Sequence, residues 1–285
     1  MLDMNGDHIK ESKRYMLGLS IEQKIKSVQN DLWIECPHST LAIRMISNMV
    51  KSPPQIQAPC MLICGEGGSG KTSIVRQLKL ISERWNEKIS FFALNENPGN
   101  LNFRELLLDA IGASNSVRKK TRPSLPAELE EFITLRRVRA LVIDEFHDAL
   151  LSNRPEQLKT LSLLKGLSGE PYCLSVIGFG TSLARNALRH DAQLLRRYYI
   201  HDLPRWNESE VFRAFLAAFE ENLPLKKPSC LYESASVKFI LANTNGLMDN
   251  VVKLIKHSAI VAIKNEKEFI DLDVMREAIS NPWAF

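Results

Sequence analysis

No run of apolar residues in this 285-residue chain approaches the roughly 18 needed to cross a bilayer as a helix. The opening stretch MLDMNGDHIKESKRYM also lacks the apolar core of a secretion signal. Together these absences exclude a helical membrane protein, leave no membrane partner, and point to a cytoplasmic location. Cysteine is scarce and unmatched. The five residues Cys36, Cys60, Cys64, Cys173 and Cys230 are odd in number, form no CxxC pair and show no Cys/His spacing for zinc, as expected of reduced thiols. Cys60 and Cys64 both fall in the apolar run CMLIC, so they read as buried strand positions rather than metal ligands. There is no internal repeat and no low-complexity tract. Charge of one sign is not in large excess either: 37 Lys and Arg against 33 Asp and Glu leave +4. That balance permits a nucleic-acid partner without requiring one, because what matters is where the cations cluster.

What is present is an ordinary globular composition, with 45% hydrophobic and 25% charged residues, in a chain long enough for one sizeable domain and a smaller one. Residues 1–50 read as an N-terminal segment, polar at first, with an amphipathic patch at Ile21, Ile25, Val28 and Leu32 that suits a helix face able to dock on the core or on a partner. Pro53, Pro54 and Pro59 break any helix begun at Thr40. From there to about residue 205 apolar strands alternate with amphipathic helices: strands near 58–64, 89–94, 140–144, 172–178 and 199–203, helices near 71–85, 101–112, 126–138, 155–167 and 182–190. Strands such as ALVID and LSVIGF are apolar almost throughout, as in a parallel sheet covered on both faces. This predicts an α/β core over 51–205. Residues 206–285 hold helical patterns only, the first opening at Asn207 as N-cap with Glu210 three residues on, and predict a small helical domain.

Directly behind CMLIC stands GEGGSGKT. Gly65, Gly70, Lys71 and Thr72 match G-x-x-x-x-G-K-[ST] between a buried strand and an amphipathic helix, the context a phosphate loop requires. The backbone of Gly65, Glu66, Gly67, Gly68, Ser69 and Gly70 wraps the phosphates, with Thr72 and Ser73 opening the helix; Lys71 reaches the β and γ phosphates, and the Thr72 hydroxyl ligates Mg2+. ATP is therefore the expected ligand. The strand ALVID ends in Asp144 and Glu145, one carboxylate for the magnesium shell and one to polarise the attacking water. Alone, such a pair can simply cap the next helix; downstream of a phosphate loop in the same sheet it reads as catalytic. In VIGFGTSLAR, Thr181 or Ser182 is placed to bond the γ phosphate or the water, and an N-cap role for Thr181 is compatible with that. Asn95 ends the strand ISFFALN and can orient Glu145. Arg196 and Arg197 close DAQLLRRYY, where a guanidinium can serve a neighbouring subunit's site or make a surface salt bridge. Arg118, Lys119, Lys120, Thr121 and Arg122 make a cationic loop suited to the phosphate backbone of duplex DNA without sequence preference, or simply a solvated one.

These elements in order resemble the AAA+ ATPases: GEGGSGKT as Walker A, LVIDE as Walker B, GFGTS at the sensor-1 position, LLRRY at the arginine-finger position, then a helical lid. More narrowly the chain is similar to the TniB/TnsC family of transposition ATPases through DLWIECPHSTLAI, LVIDEFHDALL, VIGFGTSLARNAL and DAQLLRRYYIHDLPRW, over roughly residues 30–265. The resemblance implies a sensor-1 role for Thr181 and a finger role for Arg197, next to Tyr198. It further implies homo-oligomers on duplex DNA, as a hexameric ring or helical filament, that link a TniQ-like target selector to a TniA/TnsB-like DDE transposase. The 116–122 loop falls where family members face DNA. One departure matters: NGLMDNVVKLIK offers Asp249 and Asn250 where a sensor-2 arginine is common, with Lys253 as a substitute, which implies slow hydrolysis coupled to assembly. The other readings are a helicase-loader or clamp-loader type ATPase of replication or repair, and a nucleotide-switched scaffold without nucleic acid.

Overall fold

The computed structural model of the chain describes residues 6–93, 103–112, 128–150 and 154–281. It divides into two units: His38–Pro204, and a second made of Met1–Pro37 with Arg205–Phe285. The chain ahead of residue 38 clusters with the helical unit because its apolar patch packs there.

That N-terminal part carries a 3-10 turn, Glu11–Gly18, and helix α1 (Ile21–Gln29), opened by a capping box between Ser20 and Gln23. Val28 is buried, and Ile25 and Leu32 pack against the same cluster, while Ile21 stays 46% exposed. Lys24, almost fully buried, donates to Glu268 at 2.7 Å and 3.0 Å, and Lys256 donates to Asn30 O at 2.7 Å, fixing α1 on the helices that close the chain.

The α/β unit begins with α2 (Pro37–Lys51), which starts three residues before Thr40 because Pro37, lacking an N–H, suits the first helical position. Then follow β1 (Cys60–Cys64), α3 (Lys71–Ser82), β2 (Lys88–Ala93), α4 (Phe103–Ile111), α5 (Glu128–Leu135), β3 (Val138–Asp144), α6 (Phe146–Leu150), α7 (Arg154–Leu167), β4 (Ser175–Gly180), α8 (Ser182–Leu188), α9 (Ala192–Leu195) and β5 (Tyr198–Asp202). All strand pairs are parallel, in the order β2-β3-β4-β1-β5. The fully buried run of β1 and the burial of β3 and β4 follow from helices on both faces. β4 starts three residues later than its apolar run suggests. Cys173 takes a left-handed φ of 48°, and Leu174 N–H bonds Leu167 O at 2.9 Å, so the chain is still turning off α7 at that point. The short helices α6 and α9, five and four residues, are below what periodicity can reveal.

In the second unit, α10 (Glu210–Glu220), α11 (Ser234–Thr244), α12 (Met248–Lys264) and α13 (Leu272–Ser280) complete the fold. The N-cap of α10 is Ser209, not Asn207: the Ser209 hydroxyl accepts from Phe212 N–H at 3.3 Å, which makes Glu210 the first helical residue rather than the third. Trp206 stacks on Phe215 and packs on Phe212, and its N–H bonds Gly246 O at 2.7 Å. Gly246 lies at φ 66°, and a methyl there would sit 2.0 Å from Trp206 O, so only glycine closes this corner.

One contact sets the end of β3. Phe146 is fully buried and its ring lies on Gly178 of β4, where an added methyl would fall 2.4 Å from Cδ1. Gly178→Ala must therefore displace Phe146, and the expected cost is about 1–3 kcal/mol in a urea unfolding titration. Gly166→Ala on α7, whose methyl meets nothing within 4 Å, should be neutral or stabilising in the same titration.

Candidate active site

Residues 65–70 join β1 to α3, and Gly70 opens the helix at φ 91°, a conformation that L side chains rarely adopt. Lys71 is buried, and its ammonium donates to Gly65 O and Glu66 O, both at 2.9 Å, so the cation closes the loop on itself. Burial pulls its pKa below the usual lysine value, while the Glu145 and then the Asp144 carboxylate act the other way. The acidic pair thus faces the lysine across the sheet's end. Ser69 Oγ is buried without a hydrogen-bond partner, and Gly67 has open space around it. Thr72 and Ser73 lie exposed on the first turn of α3.

Strand order brings the remaining groups to this point. β4 lies between β1 and β3, with Cys64 level with Gly180 and Ile143 level with Gly178, so the loop, Thr181 and the acidic pair emerge side by side at the carboxyl ends of three adjacent strands. Adjacent strands are about 4.8 Å apart, which puts the acidic pair roughly 10 Å from the loop's root, room for a phosphate and a water. Asp144 is buried, and its Oδ1 accepts Glu145 N–H at 3.0 Å. Glu145 turns the chain at φ 53°, and its carbonyl accepts Asp148 N–H at 2.9 Å, starting α6 with Phe146 locked on Gly178. A bulky residue in left-handed backbone at a strand end is strain held by its surroundings. His147 Nδ1 stands 3.3 Å from Glu145 Oε2. Thr181 occupies the N-cap of α8, but its hydroxyl makes no capping bond and is buried without a partner. The two orphaned hydroxyls, Ser69 and Thr181, are what a site built for a phosphate leaves unmatched until the phosphate arrives.

The arginine pair is elsewhere. Arg196 and Arg197 precede β5, whose first residue, Tyr198, pairs with Cys60, the first residue of β1, whereas the loop follows Cys64 at the other end. At about 3.3 Å per residue the arginines and the loop of one chain are roughly 15–20 Å apart along the strands. Arg197 donates to Lys165 O at 3.0 Å and Ser168 Oγ at 2.8 Å; Arg196 is exposed.

Sequence reasoning missed three supporting residues. Phe146 with Gly178 aims Glu145, and His147 flanks it; the letters FH after DE were the only signal. Arg185 of α8 pairs with Asp202 beside Cys64, its Nε buried without a partner. Burial pushes the Cys64 thiol up, so it stays neutral at the loop's root; burial likewise takes Cys60 to about 11. Among the described residues all five cysteines are free, and no group of three His, Cys, Asp or Glu could hold a metal. Lys253 is ion-paired with Asp249 at 2.6 Å on α12. Asn95 and the cationic loop Arg118, Lys119, Lys120, Thr121 and Arg122 lie outside the described residues. No described helix is long and apolar enough to cross a membrane.

The residues fit ATP: a glycine loop at a helix N-terminus, a compensated lysine, and buried hydroxyls without partners. They fit Mg2+ also, since magnesium is held by one or two carboxylates together with substrate phosphates rather than by an all-protein cage. Thr72 and Asp144 would hold it, and it would neutralise charge between the β and γ phosphates.

An all-parallel sheet in this order, with the loop after β1, an acidic pair after β3, a hydroxyl after β4, arginines before β5 and a helical unit beyond, defines an AAA+ P-loop ATPase. Solved structures agree on the fold. The chain is similar to Cdc6p from Pyrobaculum aerophilum (TM-score 0.61, 16% identity, 90% of this chain and 70% of that one). It is also similar to the Aeropyrum pernix Orc1 protein in complex with DNA (0.55, 13%, 90% and 69%), and to the Thermotoga maritima RuvB Holliday junction branch migration motor (0.50, 15%, 91% and 67%). No curated protein matches it. The chain belongs to the TniB family, whose model, "Bacterial TniB protein", matches residues 24–208, and is thus a transposition-associated AAA+ ATPase.

Because the Thr181 hydroxyl bonds nothing among the described residues, Thr181→Val should leave the urea midpoint and ATP affinity near wild type. Hydrolysis should fall about 100- to 1,000-fold, as for loss of one transition-state donor, when phosphate release is followed in single turnovers.

Proposed function

We propose that this TniB-family ATPase assembles on target duplex DNA in an ATP-dependent way, as a hexameric ring or helical filament, and so links a TniQ-like target selector to a TniA/TnsB-like DDE transposase. The observation that carries the reading is the position of the arginines: at the amino ends of the strands they cannot reach the loop at the carboxyl ends of the same chain. If a guanidinium serves the γ phosphate, it comes from a second copy, and hydrolysis then depends on assembly. Nucleotide binding needs only one copy: Lys71, Thr72 and the backbone of residues 65–70. Within the assembled site Asp144 takes the metal, Glu145 polarises the water, and Thr181 holds the γ phosphate or the water. No arginine stands in α12, and Lys253 is engaged by Asp249, so hydrolysis is slow and acts as a timer on how long the assembly persists.

DNA is supported as the track by the family, by the cationic stretch Arg118–Arg122, and by the likeness of fold to an Orc1 protein whose structure is in complex with DNA. A loader-type ATPase acting on a protein ring is the second reading, and the fold likeness to Cdc6p favours it. The two differ in what the DNA does. Replacing Arg118, Lys119, Lys120 and Arg122 by Gln should abolish DNA binding and DNA-stimulated hydrolysis together, and flatten the salt dependence of any residual binding by up to about four phosphate contacts. Intact binding would favour the loader. Lys71→Ala should abolish ATP-dependent retention of duplex DNA in a gel-shift assay, and unchanged retention would reject the nucleotide switch.

A further inference from the structure

Glu145 and His147 are two positions apart, a spacing at which side chains on a helix point away from each other and on a strand stand roughly 7 Å apart. Here they meet: His147 Nδ1 lies 3.3 Å from Glu145 Oε2. The left-handed backbone of Glu145, φ 53°, turns the chain at the end of β3 and brings the two side chains together. We propose that His147 is a positioning residue for the water-polarising carboxylate: its Nδ1–H holds Glu145 Oε2 and so leaves Oε1 turned to the attacking water. This rests on the reading above that Glu145 polarises that water.

A carboxylate on a rotatable side chain needs a fixed donor to keep one of its oxygens on a water. The neighbouring groups are committed elsewhere. Asp144 Oδ1 accepts Glu145 N–H at 3.0 Å, which fixes the backbone and leaves the Glu145 carboxylate free to rotate. Lys71 faces the acidic pair, but its ammonium donates to Gly65 O and Glu66 O. His147 Nδ1, by contrast, is buried and has no hydrogen-bond partner: at 3.3 Å it is near Glu145 Oε2 but out of line with it. A modest rotation of the Glu145 side chain closes the bond, and a buried polar nitrogen left unpaired favours that rotation. A carboxylate only accepts, so the ring nitrogen that holds it carries the proton.

The imidazole is itself held. Phe146, the residue between, is fully buried with its ring on Gly178. His147 N lies so close to Gly180 that a methyl added there would come within 3.3 Å of it. The backbone at 147 is therefore pinned against the end of β4, next to Thr181, while the ring, 18% exposed, reaches back to the end of β3. Asp148 Oδ1, 3.7 Å from Nε2 on a half-exposed side chain, is too distant for a hydrogen bond and competes weakly for the ring. A donor pinned to β4 thus acts on a carboxylate carried by β3, its neighbour in the sheet.

The test is a double-mutant cycle. Phosphate release is followed in single turnovers on duplex DNA, with ATP affinity and the urea midpoint measured alongside, for His147→Ala, His147→Asn and His147→Gln in the wild-type and Glu145→Gln proteins. Asparagine carries its amide nitrogen as many bonds from Cα as Nδ1, and glutamine as many as Nε2. His147→Ala should slow hydrolysis about 100-fold, the cost of a misplaced reacting group, with ATP affinity and midpoint unchanged. His147→Asn should recover most of that loss and His147→Gln little of it. In the Glu145→Gln protein, itself slow, His147→Ala should cost almost nothing further, because His147 acts through that carboxylate. Three results would each overturn the assignment while leaving Glu145 its role: equal losses in both backgrounds, a lowered midpoint with no recovery by asparagine, or faster hydrolysis in His147→Ala, the mark of an imidazole that keeps Glu145 off the water. If Glu145→Gln hydrolyses ATP as the wild type does, the carboxylate does not polarise the water, and the reading of Glu145 falls together with the assignment.

Discussion

Backbone pairing of Cys60–Cys64 with Tyr198–Asp202 holds the phosphate loop and the arginine pair at opposite ends of the same two strands. Parallel ladders do not stretch, so the separation is fixed by strand length and is longer than an arginine side chain. The phosphate loop is consequently held within one chain, and the arginine pair stands at the opposite ends of the same strands. β4 contributes in the other direction: by lying between β1 and β3 it brings Thr181 between the loop and the acidic pair, so that three strand ends converge on one volume. Under the proposed function, this layout makes nucleotide binding intramolecular and hydrolysis dependent on a second copy.

The same volume concentrates the unfavourable local choices of the fold. Lys71 is buried with its charge opposed by desolvation, Glu145 sits in left-handed backbone, and the hydroxyls of Ser69 and Thr181 have no partner. Each costs on the order of 1–3 kcal/mol where it stands, and each is a group to which the proposed function gives a task at the phosphates. Stability comes from elsewhere: the fully buried strands β1, β3 and β4, the Phe146–Gly178 contact, and in the second unit the aromatic stack on Trp206 and the Lys24–Glu268 pair.

Much of this was legible in the letters. Buried parallel strands are apolar on both faces, so CMLIC and ALVID marked themselves, and helix positions followed from stripes such as Ile74, Val75, Leu78, Ile81 and Trp85. The phosphate loop is local in sequence and its chemistry could be read outright. What was hidden depends on contacts distant in sequence. Lys165 and Ser168 draw Arg197 inward from about thirty residues away. α1 joins the helical unit through Glu268, 244 positions from Lys24. Gly178 meets Phe146, 32 positions away, and nothing local in sequence marks that contact. α6 and α9 are too short to show a period, and Ser209 took the cap from Asn207 because backbone geometry, not composition, chooses between two polar residues two positions apart.

In the proposed function one copy holds ATP and a second copy is needed to hydrolyse it. The most direct measurement is the specific ATPase activity as a function of protein concentration, at saturating ATP and fixed excess duplex DNA. Specific activity should rise steeply with concentration and then level off, while ATP binding per chain stays constant across the same range. A specific activity independent of concentration, down to dilutions at which sedimentation shows only monomers, would contradict it.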